Sequence, residues 1–130
     1  MATVDRGVWL APEGLPAADI AALGPRLEGL GYSTLWVGET FGRDPFALLA
    51  HVGAKTSTLN VATGIANIYN RHPGVMLQGA NTVAEQTGGR MTLGLGVSSP
   101  AIVNKVRGIE YDKPLSFLRS YLDVMEGSLY

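Results

Sequence analysis

Several features that are common in proteins are missing from this sequence. It contains no cysteine, which excludes disulfides, cysteine-ligated zinc and thiol catalysis and suits the cytoplasmic location that we expect. No apolar run approaches the roughly 20 residues of a membrane span, and the segment MATVDRGVWLAPEG lacks the basic and long apolar regions of a signal peptide. The formal net charge is -1 and there is no basic stripe. We therefore expect neither nucleic acid nor a membrane as a partner, and we assign no metal-binding residue.

The residues that are present are typical of a buried globular domain. The chain has 130 residues, of which 46% are hydrophobic and 16% charged, and this length is enough for a single domain with a real core. Seventeen glycines and seven prolines fall at regular places along the chain. We find no internal repeat, linker or low-complexity stretch, so residues 1–130 are treated as one unit.

Four short apolar runs predict four strands. They lie at about residues 7–11, 34–39, 59–66 and 91–97. None of them alternates cleanly between apolar and polar residues, and that pattern is typical of parallel strands buried on both faces.

Helical patterns follow each of the four strands. Asp44-Pro45 has the form of a cap followed by a first-turn proline, Pro73 and Pro114 begin two further patterns, and Gly31 is a plausible stop for the first. Pro25 lies inside that first pattern, so we expect a kink or a restart there. The apolar positions that define the four helices are Ile20, Leu23, Leu27 and Leu30; Phe46, Leu49 and Val52; Leu77, Ala80, Val83 and Ala84; and Leu115, Leu118, Leu122 and Met125.

Strand followed by helix, four times over, indicates an α/β protein with a parallel sheet and right-handed crossovers. The pattern fits either half of a (βα)8 barrel or a small doubly wound sheet, since a complete barrel takes about 250 residues. In both architectures ligands bind at the carboxyl ends of the strands. The four strand exits are therefore the candidate functional segments.

The first two strand exits each carry a carboxylate. Glu13 follows the first strand, where a solvated surface glutamate is the more ordinary interpretation. Glu39 directly follows the apolar run of the second strand, where it could act as an acid or base. A pairing of Glu39 with Arg43 or with a helix N-terminus is equally compatible with the sequence.

The third and fourth exits are rich in glycine and polar residues. Gly64, inside the third apolar run, indicates a bulge or a close approach of the backbone to another group. His72 is more simply explained as a residue near the N-cap before Pro73 than as a catalytic base. The fourth exit, GLGVSSP, is not a dinucleotide fingerprint, because Ser99 stands at the third glycine position.

Four segments together resemble the first half of a luciferase-like monooxygenase barrel, in the branch that uses the deazaflavin coenzyme F420. In chain order they are GVWLAPEG, LEGLGYSTLWVGETFGRDPFALLA, NVATGIANIYNRHP and GGRMTLGLGVSSP. The resemblance implies a (βα)4 half of a TIM barrel and an oxidoreductase that exchanges a hydride between F420 and a small organic substrate. An FMN-dependent monooxygenase and a non-catalytic half-barrel that binds or assembles are the alternatives.

The resemblance also implies roles for particular residues. A non-prolyl cis peptide bond is expected at Gly64-Ile65, where it would support one face of the ring. Asn67 and the backbone of the segment Gly96–Ser98 (Gly96, Val97 and Ser98) would contact the same cofactor. Glu39 matches the acidic position after the second strand, and Glu13 matches a substrate-side carboxylate of some relatives. Glu39 is therefore expected to move the substrate's proton, with Glu13 as a second catalytic candidate beside it.

Two features depart from the family pattern. Thr40 stands where some relatives have histidine, and Ser99 stands where some have histidine or glutamate. Acid–base roles are therefore not carried over to these two positions. The chain also stops before the later strands that help the family bind phosphate. Because an open half-barrel would expose two sheet edges, we expect either a fragment of a longer enzyme, which we favour, or a unit that pairs with another copy to close the barrel.

Overall fold

The computed structural model describes residues 5–127. Six strands run through them: β1 (Gly7–Leu10), β2 (Thr34–Val37), β3 (Asn60–Thr63), β4 (Ala66–Asn67), β5 (Met91–Thr92) and β6 (Leu95–Gly96). All pairings are parallel, and they form a four-stranded sheet in the order β1-β2-β3-β5 and a two-stranded sheet of β4 and β6. Sequence order therefore equals spatial order, as in one half of a (βα)8 barrel, and this confirms the predicted fold class.

Four α-helices connect or follow these strands: α1 (Ala17–Gly29), α2 (Pro45–Gly53), α3 (Pro73–Gln86) and α4 (Pro114–Gly127). A short 3-10 helix at Pro12–Gly14 and a π-helix at Ala101–Val106 lie in the loops after the first and fourth strands. No helix within residues 5–127 is long and apolar enough to cross a membrane.

The predicted helix starts are confirmed. The Asp44 carboxylate accepts a hydrogen bond from the Ala47 N–H at 2.9 Å, and Pro45 fills the first helical position, where its missing N–H costs nothing. At the start of α3, His72 Nδ1 accepts from the Gly74 N–H at 3.2 Å. His72 is thus an N-cap residue, as the simpler interpretation of the sequence had it.

The two faces of the sheet have different surroundings. Leu35, Val37 and Val61 are fully buried in the core beneath the helices. On the opposite face, strand register places Trp9, Trp36, Ala62 and Thr92 in one row. Trp9 is 60% exposed, so residues 5–127 leave this face, the interior of a barrel, partly uncovered.

The third and fourth strands are shorter than predicted. Each is interrupted, at residues 64–65 and 93–94, before it resumes as β4 or β6. Thr63 Oγ1 explains the interruption, because it donates to the Gly94 carbonyl at 2.8 Å and accepts from the Gly94 N–H at 2.8 Å. A side-chain hydroxyl thereby takes the place of backbone ladder partners. The first two strands also end earlier than predicted, at Leu10 and Val37.

Two further differences concern the helices. α1 is one helix with Pro25 inside it, so the expected restart does not occur. Ile20 and Leu27 are buried on either side of the exposed Pro25, and this packing outweighs the loss of one backbone hydrogen bond. The π-helix at Ala101–Val106 was not predicted, because six residues are too few to establish a helical period of apolar residues.

Candidate functional site

The chain after β3 forms a bulge that is held by backbone hydrogen bonds. The Gly64 N–H donates to the Val37 carbonyl at 2.8 Å, the Ile65 carbonyl accepts from the Glu39 N–H at 3.1 Å, and the Ala66 N–H donates to the Gly94 carbonyl at 2.8 Å. The Gly64-Ile65 peptide bond is cis, as the resemblance implied. The bulge therefore bridges the exits of the second, third and fourth strands.

Trp9 contacts the bulge from the interior face of the sheet. Its indole Nε1 donates to the Gly64 carbonyl at 2.5 Å. A Cβ atom on Gly64 would lie 3.2 Å from Trp9 Cδ1 and 3.4 Å from the Cβ of Trp36. The backbone of Gly64 thus lies in close contact with two tryptophans of the first two strands, Trp9 and Trp36.

Glu39 lies behind the bulge and is almost fully buried, with its side chain 4% exposed. Its Oε2 accepts from the Asn67 N–H at 2.8 Å and from Arg71 Nη1 at 2.8 Å, and its Oε1 is 2.7 Å from the same Arg71 nitrogen. Both carboxylate oxygens are therefore engaged. The structure pairs Glu39 with Arg71 and not with Arg43, which instead donates to the Pro12 carbonyl.

Arg71 joins four parts of the fold. Its Nη2 lies 2.5 Å from Asp44 Oδ2 at the start of α2, its guanidinium carbon is 5.1 Å from the centre of the Phe46 ring, and its carbonyl accepts from the Tyr121 hydroxyl of α4 at 2.8 Å. Burial acts to lower the pKa of Arg71, but the hydrogen bonds and charges of Asp44 and Glu39 outweigh it and raise that pKa.

Arg71 is not among the site residues predicted from the sequence, although one signal in the sequence points to it. Adjacent parallel strands bring their exits to the same edge of the sheet. An acid after the second strand and an arginine after the third are therefore natural partners.

Glu13 occupies a different setting from Glu39. It is exposed, and its Oε1 accepts hydrogen bonds from Thr40 Oγ1 and, at 3.4 Å, from the Phe41 N–H. Partial burial acts to raise the pKa of Glu13, but the bonds from Thr40 and from nearby backbone N–H groups together lower it. The structure thus places Glu13 against the backbone that follows Glu39.

Asn67 is fully buried beside Glu39. Its Oδ1 accepts from the Tyr69 N–H at 3.0 Å, whereas its Nδ2 has no hydrogen-bond partner within residues 5–127. A buried amide nitrogen without a partner is costly. The Tyr69 hydroxyl is the other buried side-chain atom without a partner in the described chain, so both groups are candidates for a contact with a bound group.

The fourth exit packs directly against the bulge. A Cβ atom on Gly96 would lie 2.7 Å from Ile65 Cγ1, so this glycine makes room for the Ile65 side chain. Val97 is half-buried against the core. Ser98 has φ 58, a left-handed conformation that costs a non-glycine residue about 1–3 kcal/mol and is concentrated at functional sites.

A polar cavity of about 520 Å³ opens at the carboxyl ends of the strands. Its lining includes Glu39, Tyr69, Asn70 and Arg71 from the second and third exits, together with Arg107 and Ile109 of the segment after the π-helix. Arg107 Nη2 donates to the Thr40 carbonyl at 3.1 Å. The segment that follows the fourth strand therefore extends back to the exit of the second.

Parallel βα units with a polar cavity at the carboxyl ends of the strands are the architecture of the βα-barrel class. The profile of the luciferase-like monooxygenase family matches residues 1–130. The chain therefore belongs to the luciferase-like monooxygenase family.

Curated relatives agree with this membership. The chain is 33% identical over 119 residues to a proposed coenzyme F420-dependent oxidoreductase of Mycobacterium tuberculosis, covering 92% of this chain and 33% of that protein. It is 26% identical over 115 residues to the 5,10-methylenetetrahydromethanopterin reductase of Methanolobus tindarius, covering 88% of this chain and 35% of that protein. The chain thus spans about a third of the length of these two relatives.

Solved structures share the fold. The F420-dependent tetrahydromethanopterin reductase of Methanopyrus kandleri superposes with a TM-score of 0.83 at 24% identity, covering 95% of this chain and 40% of that one. The oxygenating constituent of 3,6-diketocamphane monooxygenase of Pseudomonas putida, solved with FMN, has a TM-score of 0.81 at 16% identity and covers 94% of this chain and 38% of that one. At these identities the likeness concerns the fold alone.

Proposed function

We propose that this chain is the amino-terminal half-barrel of an F420-dependent oxidoreductase that exchanges a hydride with a small organic substrate. The observation that carries the proposal is the buried Asn67 amide, whose Nδ2 has no partner within residues 5–127 and which lies next to the bulge. The proposed F420-dependent oxidoreductase of Mycobacterium tuberculosis, 33% identical to this chain, supports the choice of cofactor.

The residues at the third and fourth exits fit a flat ring. Ile65 would present an apolar surface from the bulge formed with Gly64, and Asn67 Nδ2 would donate a hydrogen bond. The left-handed conformation of Ser98 turns the backbone at the end of the segment Gly96–Ser98, which would lie along the same group. When bound, the deazaflavin supplies the carbon that gives or takes the hydride.

Of the two expected carboxylates, we assign the substrate's proton to Glu13, which is the more exposed, whereas Glu39 lines the polar cavity but is held by its partners. Glu13 is exposed, and both of its hydrogen bonds from Thr40 and Phe41 go to the same oxygen, Oε1. Its pKa is lowered, so the carboxylate is ionised at neutral pH, which is the form that accepts a proton, and the shift makes it a weaker base than an ordinary glutamate. Glu39, which the sequence also suggested for this role, is enclosed by Arg71 and the Asn67 N–H.

The cofactor assignment is tested by binding. The protein as made by its native host should carry bound F420 or quench the fluorescence of added F420, and the Asn67→Ala variant should bind it more weakly. Ser116→Ala, an exposed position on α4, serves as the matched control and should bind F420 like the wild type. Binding of FMN in preference to F420 would replace this proposal with an FMN-dependent monooxygenase, and binding of neither would favour a non-catalytic half-barrel.

A further inference from the structure

Arg71 is a largely buried arginine whose guanidinium contacts three other side chains. Its side chain is 13% exposed, and its guanidinium forms ion pairs with Glu39 after the second strand and with Asp44 at the start of α2. The face of the guanidinium lies over Phe46. The planar guanidinium bonds two carboxylates at once, and a lysine ammonium group is a poor substitute for this geometry.

Glu39 connects Arg71 to the bulge. Its Oε2 accepts from the Asn67 N–H at 2.8 Å, and its own backbone N–H donates to the Ile65 carbonyl at 3.1 Å. Glu39 therefore contacts the bulge through both its main chain and its side chain. The bond to the Asn67 N–H holds the backbone of the residue whose Nδ2 has no partner within residues 5–127.

A carboxylate in this setting is poorly suited to carry protons. The Glu39 oxygens already accept from the buried Arg71 guanidinium and from the Asn67 N–H, and the side chain is only 4% exposed. Neither oxygen is free of these partners.

We infer that Arg71 is a positioning residue, which acts through Glu39 to hold Asn67 and the bulge in the geometry that binds the cofactor. Glu39 is then a structural partner of Arg71, and proton transfer is left to another group. This inference rests on the proposed function for the identity of the cofactor, but not for the positioning of Asn67 itself.

The first experiment measures binding and turnover together. Glu39→Gln and Arg71→Met should each raise the Kd of F420 about tenfold, and the double variant should raise it no further, because both changes break one coupled unit. Arg71→Lys should fall between wild type and Arg71→Met. With saturating F420, Glu39→Gln should keep most of its kcat and the acid limb of its pH profile.

Arg90→Met is the matched control. Arg90 is also a half-buried arginine with several hydrogen bonds, to the carbonyls of Gly53, Thr56 and Leu59 among others. It lies at the amino ends of the strands, next to Met91 of β5, so its loss should lower stability without changing the Kd of F420. If Glu39→Gln binds F420 like the wild type yet loses turnover about a hundredfold together with the acid limb, Glu39 is the proton carrier and the inference is overturned.

A second measurement does not need the cofactor. Hydrogen exchange at the Asn67 amide should be slow in the wild type and in Arg90→Met, and faster in Arg71→Met and Glu39→Gln relative to the core amide of Val61. Unchanged protection of Asn67 in both variants would overturn the positioning role. If the wild type binds no F420, the proposed function fails, while the exchange experiment still decides the role of Arg71.

Discussion

Glu13 and Glu39 are the same side chain in two different surroundings. Glu39 is buried and paired with Arg71, whereas Glu13 is exposed and accepts from Thr40 and the Phe41 backbone. The sequence placed both at strand exits and suggested one role for both. Their contacts separate them, since a group that must exchange a proton with substrate has to be reachable.

Glu13→Gln tests the proposed role of Glu13 in moving the substrate's proton. We expect the variant to lose about 10²–10⁴-fold in kcat while the Kd of F420 stays unchanged, because the amide keeps the shape but cannot accept a proton. The measurement is F420-linked hydride exchange, followed by the deazaflavin absorbance. Glu110→Gln, at another exposed position, is the control and should leave turnover unaltered.

The pH dependence of the wild type follows from the direction of the Glu13 pKa shift. The pKa is lowered from its ordinary value of 4.5, and the ionised form is the one that accepts a proton. Activity should therefore persist as the pH falls to 4.5 and decline only below it. An acid limb well above pH 4.5 that is insensitive to Glu13→Gln would contradict the assignment.

At the scale of elements, one glutamate ties α1 to the loop before β3. Glu28 Oε1 accepts from the Ser57 N–H at 2.8 Å, from Thr58 Oγ1 at 2.7 Å and from the Leu59 N–H at 3.1 Å, and it also accepts from the Thr58 N–H. Led by the Thr58 hydroxyl, these bonds lower the pKa of Glu28 to about 2. A helix and a strand that are distant in sequence are thus joined by one carboxylate.

This contact predicts a pH-dependent loss of stability. Because the folded pKa of Glu28 lies below its ordinary value of 4.5, the charged form stabilises the fold fully above pH 4.5, and the contribution is lost as the pH falls towards 2. Urea unfolding between pH 7 and 2.5 should show a shallower decline for Glu28→Gln than for the wild type. The exposed Glu85→Gln on α3 should decline as the wild type does; equal curves for all three proteins would refute the prediction.

At the scale of the whole molecule, the interior face of the sheet is the dominant feature. Trp9 is 60% exposed and shares its row with Trp36, while β1 and β5 form the two edges of the four-stranded sheet. Open edges and large exposed apolar side chains favour association. Further strands of a longer chain, or a second copy of this one, would cover both.

Light scattering on the protein from its native host should accordingly give a mass above the 13.7 kDa of these 130 residues. Intact mass under denaturing conditions separates a longer polypeptide from an assembly of copies. In an assembly, Trp9→Glu should reduce the mass towards the monomer, and Leu30→Glu, at a 67% exposed position on the outer side at the end of α1, should not. A stable 13.7 kDa monomer that unfolds cooperatively would argue against both forms of cover.

Much of this architecture could be predicted from short-range patterns in the sequence. The apolar runs located β1 and β2 to within two residues, and Asp44-Pro45 and His72-Pro73 marked the starts of α2 and α3, because caps and first-turn prolines act on neighbouring backbone groups. Gly64 marked the bulge, because a glycine inside a strand indicates a bulge or a close approach of the backbone to another group. The resemblance added the family, which the family profile confirms, and the cofactor that we propose; no single pattern carried either.

The sequence by itself determined the order of strands and helices, the helix starts and the segments that lie at the carboxyl ends of the sheet. Only the tertiary structure decided which partners those segments meet: Trp9 with the Gly64 carbonyl, Thr63 with Gly94, and Arg71 with Glu39. Each of these pairs is separated by about 30 residues or more, so its energy depends on how the strands are brought together. The difference between the exposed Glu13 and the buried, paired Glu39, on which the proposed proton carrier depends, belongs to the fold, because burial and pairing are properties of neighbours in space.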